Sequence, residues 1–137
     1  QYLCAVAKRI TQGVGCPECY KRQRMKSEQS LWEFITSIYS GEIIQNTRKV
    51  VGPLELDIWL PDNKVALEYN GEFWHGLPGA AERDARKVRM CIDQGISLIV
   101  VSDGYWRSDR EAAQNDVQKA VEQVLRTGPA LTVSYVP

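Results

Sequence analysis

Two acidic residues interrupt runs that are otherwise apolar: Asp57 in Leu56-Asp-Ile-Trp-Leu60 and Glu68 in Val65-Ala-Leu-Glu-Tyr69. An ionised carboxylate in an apolar strand is costly unless something binds it. A divalent cation is the simplest partner, because hard cations prefer carboxylate oxygens. The turn sequence Pro61-Asp-Asn-Lys64 between the runs supplies Pro and Asx chemistry, so the two strands are expected to pair antiparallel. A tight hairpin centred on Asp62-Asn63 sets Asp57 directly opposite Glu68. Carboxylates paired in that way repel unless a cation or a proton lies between them. Held by these two groups and several waters, Mg²⁺ leaves room for a phosphate oxygen, the arrangement used in metal-assisted hydrolysis. The chain's only histidine, His75, follows the second strand and can shuttle a proton to or from the water or the leaving group.

Three further residues are candidates to assist. Glu28 is expected in the first turn of a helix, and Asp84 and Lys87 one turn apart on a second helix. Each also has an ordinary structural explanation. The helix macrodipole favours Glu28 in a first turn, a solvated pair accounts for Asp84 and Lys87, and a lone histidine is more often structural than catalytic. Asp57 and Glu68 resist such an explanation because both break apolar strands in register.

The elements that must position these residues follow from apolar spacing. Ser27 is read as the cap of a helix whose Leu31, Phe34, Ile35 and Ile38 share a face, with Gly41 as its stop. Strands are expected at about 42–47, 54–60 and 65–69, the middle one carrying Glu55 and Asp57 on one face and Leu56 and Ile58 on the other. An irregular loop through Gly71 and Gly76-Leu-Pro-Gly79 leads to a helix from about Ala80 to Gln94, with Ala81, Ala85, Val88 and Ile92 near one stripe and Gly95 as its C′ residue. The run Ile96-Ser-Leu-Ile-Val-Val101 suits a strand covered on both faces. Ser108-Asp-Arg-Glu111 reads as a capping box opening a last helix through Val117, Val121, Val124 and Leu125, ended by Gly128. A short strand over Leu131 to Tyr135 closes the series. The order α-β-β-β-α-β-α implies an α/β fold, a mixed sheet with helices against it.

The chain has 137 residues and no net charge, which fits one domain able to bury a real core. It has no bilayer-length apolar run and no signal peptide, so a soluble, intracellular protein without a membrane partner is expected. Its four cysteines are irregularly spaced, which argues against a secreted disulfide scaffold. Neutrality is a mild objection to nucleic-acid binding. Yet residues 1–28 hold Lys8, Arg9, Lys21, Arg22, Arg24 and Lys26 against Glu18 and Glu28 only.

Glu55-Leu-Asp57 followed by Glu68-Tyr-Asn-Gly71 resembles the PD-(D/E)XK nuclease signature, and Asn70-Gly-Glu-Phe-Trp-His75 resembles the Gly-x-x-Trp-His motif of very-short-patch-repair (Vsr-like) and homing endonucleases of phages and introns. The likeness covers about Ser27 to Trp106. It implies a restriction-endonuclease-like αβββαβ core with a mixed central sheet flanked by helices, occupying residues 25–137. It further implies a Mg²⁺-dependent DNA endonuclease (Mn²⁺ substituting) acting on double-stranded DNA, of phage or mobile-element type, in a bacterial or phage-infected cytoplasm. By that likeness Asp57 is the principal metal ligand, His75 activates water, and Glu28 and Asp84 match the helical acidic positions. Two departures stand out: Glu68 is a carboxylate where the mismatch-repair enzymes can have none, and Asn70 replaces the motif's lysine. Lys87 on the neighbouring helix is the candidate to supply that charge.

Residues 1–24 resemble the second half of a small zinc ribbon that often precedes phage endonuclease domains. Cys16-Pro-Glu-Cys19 supplies two of the four Zn²⁺ ligands such a site needs. The chain opens on Gln1, so the other pair is expected upstream and the zinc site incomplete. Lys21, Arg22, Arg24 and Lys26 are then the natural DNA-backbone contacts, and Cys91 a buried apolar residue. Two other functions keep the fold: a nucleic-acid-binding module without turnover, favoured by the missing lysine, and a resolvase-like nuclease for branched DNA.

Overall fold

A computed structural model describes the backbone of residues 17–70, 79–127 and 133–136, with side chains for residues 26–70, 79 and 81–127. The order is α1 (Pro17–Ile38), β1 (Ile44–Thr47), β2 (Leu56–Leu60), β3 (Val65–Asn70), α2 (Ala80–Asp93), β4 (Ser97–Ser102), α3 (Asp103–Ser108), α4 (Arg110–Thr127) and β5 (Val133–Val136). The strands form one five-stranded sheet in sequence order, antiparallel across β1–β2–β3 and parallel across β3–β4–β5. This is the mixed α/β architecture and the α-β-β-β-α-β-α order expected from the spacing, with the closing strand as β5 and the short α3 as an addition.

Two apolar clusters sandwich the sheet. On one face Leu31 and Ile35 of α1, Trp106 of α3 and Ala113, Val117, Val121 and Val124 of α4 pack on Ile58, Leu60, Leu67, Ile99 and Val101. On the other, Cys91 and Val88 of α2 cover Trp59, Ala66, Leu98 and Val100. β4 therefore contributes to both clusters, which is why its sequence is apolar almost throughout.

Several local expectations need correcting. α1 starts at Pro17, well ahead of Ser27, with a proline in the first helical position, where its missing N–H costs nothing. The helix runs unbroken through the boundary expected at 24/25 and carries Cys19, Lys21, Arg22, Arg24 and Lys26. Ser27 is thus an interior, buried residue and not a cap. α1 also stops at Ile38, and a Cβ at Gly41 would sit 2.8 Å from the Tyr39 ring, which would have to move aside. The Tyr39 hydroxyl donates to Asn63 Oδ1 at 2.5 Å and Asp62 Oδ2 accepts from the Glu42 N–H at 3.3 Å, so the hairpin's Asx residues moor the end of α1.

The cap of α4 is Asp109, whose Oδ1 accepts the Ala112 N–H at 3.3 Å; Ser108 instead ends α3. The stripe of α2 is turned by one position from the expected one. Val88 and Cys91 face the sheet, while Ala81, Ala85 and Ile92 are exposed. One residue is about 100° of helix rotation, and the actual phase brings Asp84 and Lys87 inward. Gly95 does close this helix, at φ 73°, with the Gly95 N–H donating to Ile92 O and the Ile96 N–H to Cys91 O, the paired bonds of a Schellman motif.

Replacing Leu31 by Ala is expected to cost about 2–5 kcal/mol of unfolding free energy, whereas Ile92→Ala should stay within about 0.5 kcal/mol. Urea denaturation of the two variants checks the core assignment and the phase of α2; an equal loss in both would contradict it.

Candidate active site at the β2–β3 opening

The hairpin register pairs Ile58 with Leu67, Trp59 with Ala66 and Leu60 with Val65 across a four-residue turn. Continued by one step, this register sets Asp57 against Glu68, as the turn chemistry implied. At that step the backbone ladder gives way to side chains. The Asp57 N–H donates to Glu68 Oε2 at 2.8 Å, and the Tyr69 N–H donates to Asp57 Oδ2 at 2.8 Å. Each strand thus offers a backbone amide to a carboxylate, and both carboxylates are buried. The alternation of β2 slips at the same point. Leu56 joins the α2-side cluster while Ile58 joins the opposite one, so the two do not share the face expected of them.

α2 supplies the positive charge. The Lys87 ammonium contacts Glu68 Oε1, with both side chains largely buried. Glu68, Asn70, Asp84 and Lys87, floored by Val88, Leu98 and Val100, line a cavity of about 200 Å³. Burial pushes the Glu68 carboxyl above its usual range. The charge and hydrogen bond of Lys87 and the Asp57 N–H pull it back down, and the charge of Glu28 pushes it up. Beneath the cavity Cys91 is a free, buried thiol pushed up to about 11 by burial and by the charge of Glu68. It is the apolar residue that the sequence implied.

Glu28 lies on the interior of α1, so the macrodipole does not account for it. Its Oε1 accepts from Asn46 Nδ2 at 3.3 Å, and the same nitrogen donates to Glu55 Oε2 at 3.3 Å. Asn46 stands in β1 where the register would meet Asp57 and has a left-handed φ of 53°. Asn46 was not a candidate from sequence, since a polar residue on a short edge strand carries no signal of its own; Glu55, quoted in the signature beside Asp57, was given no role there. Asn tolerates this backbone region better than most residues, and strained conformations of this kind gather at functional sites.

The structure therefore brings Asp57, Glu68, Asp84 and Lys87 together and places Glu28 within electrostatic reach. His75 and Cys16 lie outside the described residues. Of the expected backbone contacts, Lys26 is exposed, and Lys21, Arg22 and Arg24 are placed on α1 by backbone only. Among the described residues no three Asp, Glu, His or Cys side chains gather closely enough to form a protein-only metal cage. No helix among them is long and apolar enough to cross a membrane.

The raised Glu68 carboxyl has a definite pH signature. A folded-state pKa above the ordinary 4.5 means that the native protein holds this proton more tightly than the unfolded chain. This contribution to stability is complete below the ordinary value and is lost as pH rises through the folded value. Glu68→Gln should accordingly lose less stability than wild type as pH rises above 4.5. Parallel pH profiles of the unfolding free energy for the two proteins would contradict this.

Comparison with protein-family models, with curated proteins and with solved structures found no match to this chain.

Proposed function

We propose that the chain is a metal-dependent phosphodiester hydrolase acting on DNA, with the β2–β3 opening as its active site and a restriction-endonuclease-like core. The observation that carries this reading is the position of Lys87. It lies on α2 yet touches Glu68, whose other oxygen accepts the Asp57 N–H, so a lysine stands beside the acidic pair although Asn70 occupies the strand position of the motif's lysine.

The donor set suits Mg²⁺. Mg²⁺ asks for one or two carboxylates and fills its remaining positions with water and substrate phosphate, so the lack of a third acidic side chain among the described residues is no obstacle. Asp57 and Glu68 are the residues that would hold it, their strand-amide bonds fixing the carboxylate planes. When bound, the ion would polarise the scissile phosphate and supply a nucleophilic water near neutral pH. Lys87, a compact charge on a flexible stem, would neutralise charge developing on the phosphate oxygens. Asp84 would orient water from the opposite wall of the cavity. On the sequence resemblance alone, His75 would take or give the proton, and Lys21, Arg22, Arg24 and Lys26 would hold the DNA backbone.

One observation favours a second reading. Lys87 already occupies Glu68 Oε1, and a lysine left in that position neutralises the site without any metal. The protein would then bind nucleic acid without cutting it.

Incubation with supercoiled and linear duplex DNA in Mg²⁺ or Mn²⁺ distinguishes the two readings. Cleavage is expected, abolished by chelator and by Asp57→Ala, and slowed by about 10²–10³-fold in Lys87→Ala. Cleavage that survives Asp57→Ala or chelation would overturn the proposal, and binding without scission would favour the second reading.

A further inference from the structure

Tyr69 has two polar ends, and they lie in different layers of the fold. Its N–H is the donor that holds Asp57 Oδ2, on the edge of β3 that faces β2. Its phenol sits in the cluster formed with α1, α3 and α4, where it donates to Asp103 Oδ1. Tyr69, Asp103 and Ser27 are all buried. Ser27 also hydrogen-bonds the phenol, and Arg107 reaches Asp103 Oδ2 at 3.4 Å from one turn along α3. Burial and the hydrogen bond to Asp103 raise the phenol far above its usual range, so it stays a donor at any working pH.

This network is costly for a role that apolar packing could fill. A buried carboxylate, a buried hydroxyl and a buried phenol must all be desolvated, and a Phe–Leu contact would cover the same area without that cost. Its place in the chain suggests a reason. The paired residues of β2 and β3 run from Leu60–Val65 to Ile58–Leu67, and Tyr69 lies two residues beyond them on β3. Toward β2 the Tyr69 N–H donates to the Asp57 carboxylate. On the other side Tyr69 pairs with Val101 of β4, and Asp103 follows β4 directly at the start of α3. The phenol–carboxylate bond therefore ties the amide that aims Asp57 to the rigid corner between β4 and α3.

We infer that Asp103 and Ser27, acting through Tyr69, position the Asp57 carboxylate, so that Tyr69 and Asp103 are positioning residues of the site. This rests on the proposed hydrolase for its kinetic consequences, but not for its structural one. Released from Asp103, the Tyr69 amide can shift by a fraction of an ångström, and misplacement of about 1 Å can cost about 10²-fold in rate.

Tyr69→Phe keeps the ring and removes only the hydroxyl; Asp103→Asn keeps the shape and weakens the acceptor. The metal-free protein is read first, by ¹³C NMR of its side-chain carboxyls and by the Tyr69 amide resonance. In both variants the Asp57 carboxyl and the Tyr69 amide are expected to move while the folded dispersion of the spectrum persists. Mn²⁺ affinity by calorimetry is then expected to fall severalfold, and kcat on duplex DNA at least tenfold with KM within about twofold. An Asp57 carboxyl signal and a Mn²⁺ affinity unchanged in Tyr69→Phe would overturn the inference, even if the variant were less stable. Should the wild-type protein cut no DNA, the hydrolase reading fails by itself and the carboxyl and Mn²⁺ measurements still decide this one.

Discussion

Where β2 and β3 part, two backbone amides are donated to carboxylates in place of carbonyls. The Asp57 N–H goes to Glu68 and the Tyr69 N–H to Asp57. An unpaired amide in a buried sheet would be costly, and so would an unpaired buried carboxylate; each offsets the other here. Where the acceptor is ionised, such a bond is stronger than the ladder bond it replaces. They also hold the acidic groups by the main chain, so the carboxylates keep their orientation without relying on rotamer preference. Much else in the molecule answers to this exchange. α2 is rotated so that Lys87 reaches Glu68, Asn46 adopts a left-handed backbone opposite Asp57, and the phenol of Tyr69 is tied down in the layer beneath.

The surrounding architecture supplies the rigidity this arrangement needs. β3 and β4 pair in parallel from Val65–Ser97 to Asn70–Ser102, so the strand carrying Glu68 is fixed along its whole length on one side. Apolar clusters press on both faces of the sheet. The acidic residues sit at the end of that framework, where the strand leads out of the sheet and the cavity begins. Residual charge is balanced locally. Lys87 answers Glu68, Arg48 faces Glu55 and Arg107 faces Asp103.

Strand positions were legible in the sequence because β-branched and apolar runs bounded by turn residues have few other readings, and the Asp57–Glu68 juxtaposition followed from the turn alone. Helix limits and helix phase were less legible. Nothing in Pro17-Glu-Cys-Tyr20 separates a helix start from a turn-rich stretch, because a proline serves either. The inward face of α2 was misplaced because an apolar count favours Ile92 and the alanines. The partner awaiting that helix was instead a carboxylate on β3, which drew Lys87 and Asp84 inward. Pairings of that kind depend on tertiary position and leave no periodic trace. The same holds for Asn46 and for the Tyr69–Asp103 bond, whose partners are remote in sequence.

The proposed hydrolase requires that Asp57 and Glu68 hold a cation and that Lys87 yield Glu68 to it. Its most direct test is a crystal structure of the protein soaked in Mn²⁺, with the ion located by its anomalous scattering. A peak within coordination distance of the Asp57 and Glu68 carboxylates is expected, with the Lys87 ammonium moved off Glu68. Absence of a peak there at saturating Mn²⁺, with Lys87 still seated on Glu68, would contradict it.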